Sequence, residues 1–143
     1  MTAAPRVADT TSPAETEAHA AGLAASLVPG DVVLVSGELG AGKTTWVRGA
    51  ARALGVQTPV TSPSFTIGSR HPGRVPVAHL DLYRLEHLEA EDPALLADYF
   101  TPDAIAFVEW PERATWHGAA RLRVHLEHRG GDERRITVLA HDA

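Results

Sequence analysis

One segment constrains the fold more than any other. It runs Val32-Val33-Leu34-Val35, then Gly37-Glu38-Leu39-Gly40-Ala41-Gly42-Lys43-Thr44, then Val47, Ala50, Ala51 and Leu54. A continuous run of branched apolar residues has the composition of a strand buried on both faces, as in parallel sheets covered by helices. The apolar positions after the loop recur at i, i+3, i+4 and i+7, with Arg48 and Arg52 off that stripe and Gly55 as a stop, the pattern of an amphipathic helix. A buried strand, a glycine-rich loop and a helix in direct succession point to an α/β fold with this strand at the centre of its sheet.

The loop fits G-x-x-x-x-G-K-[ST] at every fixed position, in the strand-to-helix context that such a motif requires. Glycines let the backbone wrap closely round an anion, so that successive N–H groups and the helix N-terminus converge on phosphate. Residues Gly37, Glu38, Leu39, Gly40, Ala41, Gly42, Lys43, Thr44 and Thr45 are therefore the candidate nucleotide-binding segment. Lys43 would reach the β and γ phosphates, and the Thr44 hydroxyl would ligate Mg2+. Lys43 is also the only lysine; the remaining positive charge is carried by twelve arginines. A compact ammonium suits a backbone ring sized for phosphate better than a planar guanidinium does. The plain alternative is a glycine turn that binds nothing.

On either side of this unit the pattern continues. Ser12-Pro13-Ala14-Glu15 is a capping-box sequence with proline at the first helical position, and Ala20, Leu23, Ala24 and Leu27 follow with helical spacing. Residues Met1–Thr11 are small and polar and read as a flexible arm, leaving 12–143 as one domain. Beyond the second helix lie a breaker-rich loop from Thr58 to Pro63, a strand over Ser64–Ser69, a turn at His71-Pro72-Gly73 and a strand over Val75–Leu80, together a candidate hairpin. A helix is expected to start at Asp92-Pro93, with Leu95, Leu96, Tyr99 and Phe100 on its apolar side. A buried strand follows over Ala104–Val108. Leu122, Val124 and Leu126 alternate with polar residues before Gly130-Gly131-Asp132 and a last strand, which makes a C-terminal β-hairpin.

Two acids stand where a phosphate site needs them. Asp81 follows the apolar run Val75–Ala78, and Glu109 follows Ile105–Val108, so both lie at carboxyl ends of strands, the edge that binds ligands in open α/β sheets. Glu109 ends the more apolar strand and is the better counterpart of a magnesium-holding acid, which leaves Asp81 to place the attacking water. The chain has no N-K-x-D element, because its lysine is already in the loop, so adenine is favoured over guanine. Trp110 is a candidate to stack on the nucleotide, against the plainer reading of a core or interface tryptophan. Arg84 and Arg113 are candidates to stabilise a transferring phosphoryl group, with surface ion pairing as the alternative.

Composition removes several classes. At 143 residues the chain has the size of one domain, and it has no cysteine, which excludes disulfides, thiolate metal sites and a cysteine nucleophile. A net charge of -5 argues against a nonspecific grip on DNA. Arg121, Arg123, Arg129, Arg134 and Arg135 crowd the C-terminal hairpin, but intervening acids favour a solvated sheet face over an RNA patch. No apolar run has the length of a membrane span and no leader pattern opens the chain, so a cytoplasmic location is expected.

Four stretches, "GELGAGKTT", "TSPSFT", "HLDLYRL" and "FVEWPER", in this order and spacing, resemble the TsaE (YjeE) family, the small bacterial P-loop ATPases of tRNA threonylcarbamoyladenosine (t6A) biosynthesis. The likeness runs from about Thr11 to the C-terminal hairpin. It implies a single P-loop NTPase-like α/β domain with a mixed, mainly parallel sheet flanked by helices. It also implies ATP and Mg2+ as ligands, assembly with TsaD and TsaB, and contact with tRNA only through that complex. ATP turnover would reset the complex between cycles of threonylcarbamoyl transfer to adenosine 37 of tRNAs reading ANN codons. In such a protein Lys43 grips phosphate, Thr44 and Glu109 hold Mg2+, and Asp81 is needed for hydrolysis. Ser62, Pro63, Ser64 and Phe65 match a switch-like loop near the γ phosphate. Ser64 stands where the family usually has threonine, and Trp46 where phenylalanine or tyrosine is common, the latter read as a change of packing volume. A small-molecule kinase and a nucleotide-dependent binding module without catalysis are the other readings of the same motifs.

Overall fold

The computed structural model describes residues 4–61, 68–83, 99–113, 120 and 122–140. A seven-stranded sheet is formed by β1 (Arg6–Thr10), β2 (Val32–Ser36), β3 (Gly68–His71), β4 (Val77–Asp81), β5 (Ile105–Glu109), β6 (Leu122–Gly130) and β7 (Glu133–Ala140). Helices α1 (Pro13–Ala24) and α2 (Lys43–Ala53) follow β1 and β2, and Pro111–Arg113 make a short 3-10 turn. The strand order is β1-β7-β6-β2-β5-β4-β3, which puts the apolar strand β2 at the centre as expected. Strands β6, β2, β5 and β4 run parallel, and antiparallel pairs close the sheet at both sides.

The two-residue period of the strands divides the core. Val33, Val35, Ile105 and Phe107 face the helices and pack with Trp46, Val47, Ala50 and Ala51 of α2 and Ala20 and Ala24 of α1. The intervening residues Leu34, Ala106 and Val108 join Ala78, Leu80 and Leu82 on the other face, where Tyr99, Phe100 and Trp110 cover them. Both faces of the central strands are thus buried, which explains why β2 and β5 read as unbroken apolar runs.

Helix α1 starts on the anticipated cap: Ser12 Oγ accepts from the Glu15 N–H at 3.1 Å. The return bond reaches one residue further back than a standard capping box, because Glu15 Oε1 accepts from the Thr11 N–H at 2.8 Å. Helix α1 lies very close to α2: a Cβ on Gly49 would sit 2.3 Å from the Glu17 carbonyl oxygen, so only glycine permits this approach. Trp46 is fully buried against the Phe107 ring, and its indole N–H donates to His19 Nδ1 at 3.0 Å. The tryptophan is therefore more than a change of volume; it has a polar partner on α1.

The N-terminal stretch corrects an expectation. Instead of belonging wholly to a flexible arm over 1–11, Arg6–Thr10 pair antiparallel with β7 from Arg6↔Val138 to Thr10↔Arg134. Pairing satisfies backbone groups along an otherwise open edge, and side chains fasten it: Thr10 Oγ1 and Thr16 Oγ1 are 2.7 Å apart in a buried contact, and Arg135 Nε donates to Asp9 at 2.9 Å. Strand β3 pairs with β4 as the anticipated hairpin, although it runs to His71. The beginning of the strand expected at Ser64–Ser69, the helix expected from Asp92 and the whole of Ser62, Pro63, Ser64 and Phe65 lie outside the described residues.

Candidate functional site

The loop after β2 is shaped by contacts from three elements. Gly37 has φ +146°, and a Cβ there would come 2.5 Å from the Leu126 carbonyl oxygen, so β6 forms the wall against which the loop begins. The Ala41 N–H donates to the Glu38 carbonyl at 3.0 Å, closing the turn, and the Trp46 N–H donates to the Gly42 carbonyl at 2.9 Å, opening α2. Lys43 is the first residue of that helix and is buried, and its Nζ bridges the loop by donating to the carbonyls of Gly37 at 2.7 Å and Glu38 at 2.9 Å. The same ammonium lies 4.2 Å from the centre of the Trp110 ring. Burial pushes its pKa below the ordinary lysine value, opposed by the carboxylates of Glu109, Asp81 and Glu112.

The acids arrive from neighbouring strands at one level. Asp81 is the register partner of Glu109, and Glu109 of Val35, so the ends of β4, β5 and β2 lie side by side. Alternation then places His79 and Asp81 on the face of the sheet that carries Phe107 and Glu109. Thr44 Oγ1, in the first turn of α2, donates to the Glu109 carboxylate, 3.0 Å from each oxygen. His79 Nε2 lies 2.5 Å from Glu109 Oε2, with both side chains almost wholly buried. Asp81 accepts from the Tyr83 N–H at 3.0 Å; burial raises its pKa and Glu109 adds to the rise, while that hydrogen bond, His79 and Lys43 oppose it.

The donor chemistry here fits a hard divalent cation. A hydroxyl and a carboxylate meet beside a helix N-terminus, and a buried carboxylate gains most from a cation that it can reach directly or through water. Among the described residues no group of three or more His, Cys, Asp and Glu converges on a metal position. A hydroxyl plus one carboxylate suits Mg2+, which keeps several waters and shares its remaining positions with phosphate oxygens.

Trp110 follows Glu109 with φ +58°, the one positive φ outside glycine among the described residues, and its ring lies 4.9 Å from that of Tyr83. A bulky residue held in this region marks a backbone that its surroundings overdetermine. The effect is to lay the indole over Lys43.

Lys43, Thr44, Asp81, Glu109 and Trp110, the residues singled out in the sequence, lie together at one sheet edge beside the loop from Gly37 to Thr45. Arg84 lies outside the described residues and Arg113 ends the 3-10 turn. Two participants were missed. One is His79, whose i, i+2 spacing to Asp81 signals a shared face. The other is Arg134, one of the hairpin arginines, whose guanidinium reaches the glycine loop, donating from Nε to the Ala41 carbonyl at 3.0 Å and from Nη2 to the Gly40 carbonyl at 3.1 Å. No local signal in the sequence announces that contact.

A central parallel strand, a glycine-rich loop leading into a helix, and acids at the ends of adjacent strands define a P-loop type of α/β domain. Within that class the chain belongs to the TsaE family: residues 10–136 match the family model described as threonylcarbamoyl adenosine biosynthesis protein TsaE. The tRNA threonylcarbamoyladenosine biosynthesis protein TsaE of Bacillus subtilis is 41% identical over 133 residues, covering 92% of this chain and 83% of its own. The protein of the same name from Streptomyces coelicolor is 41% identical over 124 residues, 81% of this chain and 84% of its own. The crystal structure of Bacillus subtilis YdiB superposes with a TM-score of 0.76 at 35% identity, over 98% of this chain and 87% of that one.

Proposed function

We propose that this protein hydrolyses ATP as a subunit of the machinery that forms t6A at adenosine 37 of tRNAs reading ANN codons. TsaD and TsaB are its partners, and the cytoplasm is its place of work. The observation that carries the ATPase reading is the meeting of Lys43, Thr44, Glu109 and Asp81 at the mouth of one glycine loop. The family name supports the pathway. No helix among the described residues is long and apolar enough to cross a membrane.

In this reading Lys43 exchanges its loop carbonyls for the β and γ phosphates, and the loop N–H groups take up the remaining phosphate charge. Thr44 and Glu109 would hold Mg2+, which would supply charge neutralisation to the phosphates. Asp81, partly buried and held by the Tyr83 N–H, orients the attacking water, and Trp110 covers the lysine and excludes solvent. Contact with tRNA comes through the partners. Of the hairpin arginines, Arg134 and Arg135 are already engaged within the fold, which favours a solvated sheet face over an RNA-binding patch.

The test separates catalysis from binding. Lys43→Ala is expected to abolish measurable ATP binding by calorimetry. Asp81→Ala should retain Mg·ATP binding within a few-fold while turnover falls at least about a hundredfold. An Asp81→Ala protein that still hydrolyses ATP at the parent rate would sink the assignment of that residue. Co-purification with TsaD and TsaB in ATP, in ADP and without nucleotide tests the pathway; association indifferent to nucleotide would remove the cycling role. A kinase would instead show ATP turnover that depends on a small-molecule acceptor, and a binding module would show none.

A further inference from the structure

We infer that Arg134, on the β6–β7 hairpin, is a positioning residue for the phosphate loop: it holds two loop carbonyls outward and so aims the Gly42 N–H at bound phosphate. The inference deepens the nucleotide-binding reading and rests on it.

Arg134 donates four hydrogen bonds to backbone carbonyls. Nε and Nη2 take Ala41 and Gly40 at 3.0 and 3.1 Å. Nη1 takes Gly131 at 2.7 Å and Glu133 at 2.9 Å, so the guanidinium is fixed to its own turn before it reaches the loop. The planar fork with donors on separate edges is what allows one residue to bind both sites. A peptide unit is planar and trans, so its C=O and N–H point in opposite directions. Drawing the Gly40 carbonyl toward Arg134 sends the Ala41 N–H the other way, where it meets the Glu38 carbonyl at 3.0 Å. Drawing out the Ala41 carbonyl likewise sends the Gly42 N–H away from the guanidinium. A loop that binds phosphate through its N–H groups has to keep its carbonyls off the anion, and charge-assisted bonds to arginine do this more strongly than neutral ones.

The hairpin is built to carry that load. Gly130 and Gly131 both have positive φ, at +117° and +51°, and the strand pairing shifts register between His128 and Gly130. Strand β7 then places Arg134 opposite Thr10 of β1. Leu126 of β6 already abuts Gly37 at the start of the loop, so the hairpin braces the loop there and again at Gly40 and Ala41.

Calorimetry of the full chain with Mg2+ and ADP tests this. Arg134→Gln is expected to weaken ADP binding about tenfold, and Arg134→Lys, which can hold one carbonyl, by an intermediate factor. A general structural role would lower the unfolding midpoint without touching the phosphate contact. The second readout is therefore the displacement of the Gly42 amide resonance on adding ADP, which should shrink in Arg134→Gln and partly return in Arg134→Lys. ADP affinities within twofold of the parent in both variants, or an unchanged Gly42 displacement, would overturn the inference. Failure of the parent itself to bind ADP would remove the nucleotide reading beneath it, an outcome distinct from equal binding by parent and variants.

Discussion

At the scale of single residues, Glu109 shows how a functional group is kept in place. Its carboxylate sits in a nearly dry environment at the end of β5 and is tied on one side to Thr44 and on the other to His79. A buried charge left without its partner is far more costly than the pair was favourable. We therefore expect His79→Ala to lower the unfolding free energy by about 3 kcal/mol in chemical denaturation, and His79→Gln, which can still donate, to recover part of that. Equal stability of parent and His79→Ala would show that Glu109 does not depend on the histidine. Lys43, Thr44 and Glu109 were legible in the chain because a fixed spacing or a strand end marks each. Arg134 was not, because the two loop carbonyls it reaches, those of Ala41 and Gly40, lie more than ninety positions away in the chain.

At the scale of elements, the contact between α1 and α2 links a polar bond to pH. An indole N–H can only donate, so His19 Nδ1 must present a lone pair to Trp46, and protonating that nitrogen breaks the bond. Burial lowers the His19 pKa from 6.5, and Arg6 lowers it further. In the window between the depressed folded value and 6.5 the unfolded chain binds more protons, so this contribution to stability is present above pH 6.5 and is lost as pH falls through the folded value. Replacing the imidazole by an uncharged acceptor, His19→Gln, should flatten the loss of stability between about pH 7 and pH 5 relative to the parent. Urea midpoints measured across that range decide it, and parallel curves would assign the effect to other groups. Both helices were visible from caps and spacing. Their mutual distance was not, because Gly49 reads in isolation as a weak helix residue and only its approach to Glu17 gives it a purpose.

At the scale of the whole molecule, the sheet has its parallel strands in the middle and antiparallel strands outside, and β1 is the outermost strand beside the hairpin that braces the loop. Removing residues 1–10 would open the edge of β7, break the pair between Asp9 and Arg135 and leave Thr16 without Thr10. We expect the melting midpoint of the shortened chain to fall by roughly 5 °C or more and its tendency to associate to rise, as scanning calorimetry and sedimentation would report. An unchanged midpoint would mean that β1 is a passive cover. This strand is not legible in the sequence because its five residues bury little: Arg6, Val7 and Asp9 are exposed, Ala8 is half-buried and only Thr10 is enclosed. What holds it is backbone pairing and polar side-chain contacts, neither of which leaves a mark in the hydrophobic pattern.

The chain by itself determined the central strand, the phosphate loop, both described helices and the two acids at strand ends, because each depends on residues close together in sequence or on a strict period. Only the tertiary structure decided that β1 closes the sheet, that His79 holds Glu109 and that Arg134 reaches the loop. Those contacts join residues far apart in the chain, and a hydrogen bond depends on where two atoms meet, which spacing along a sequence specifies only when both lie on the same element.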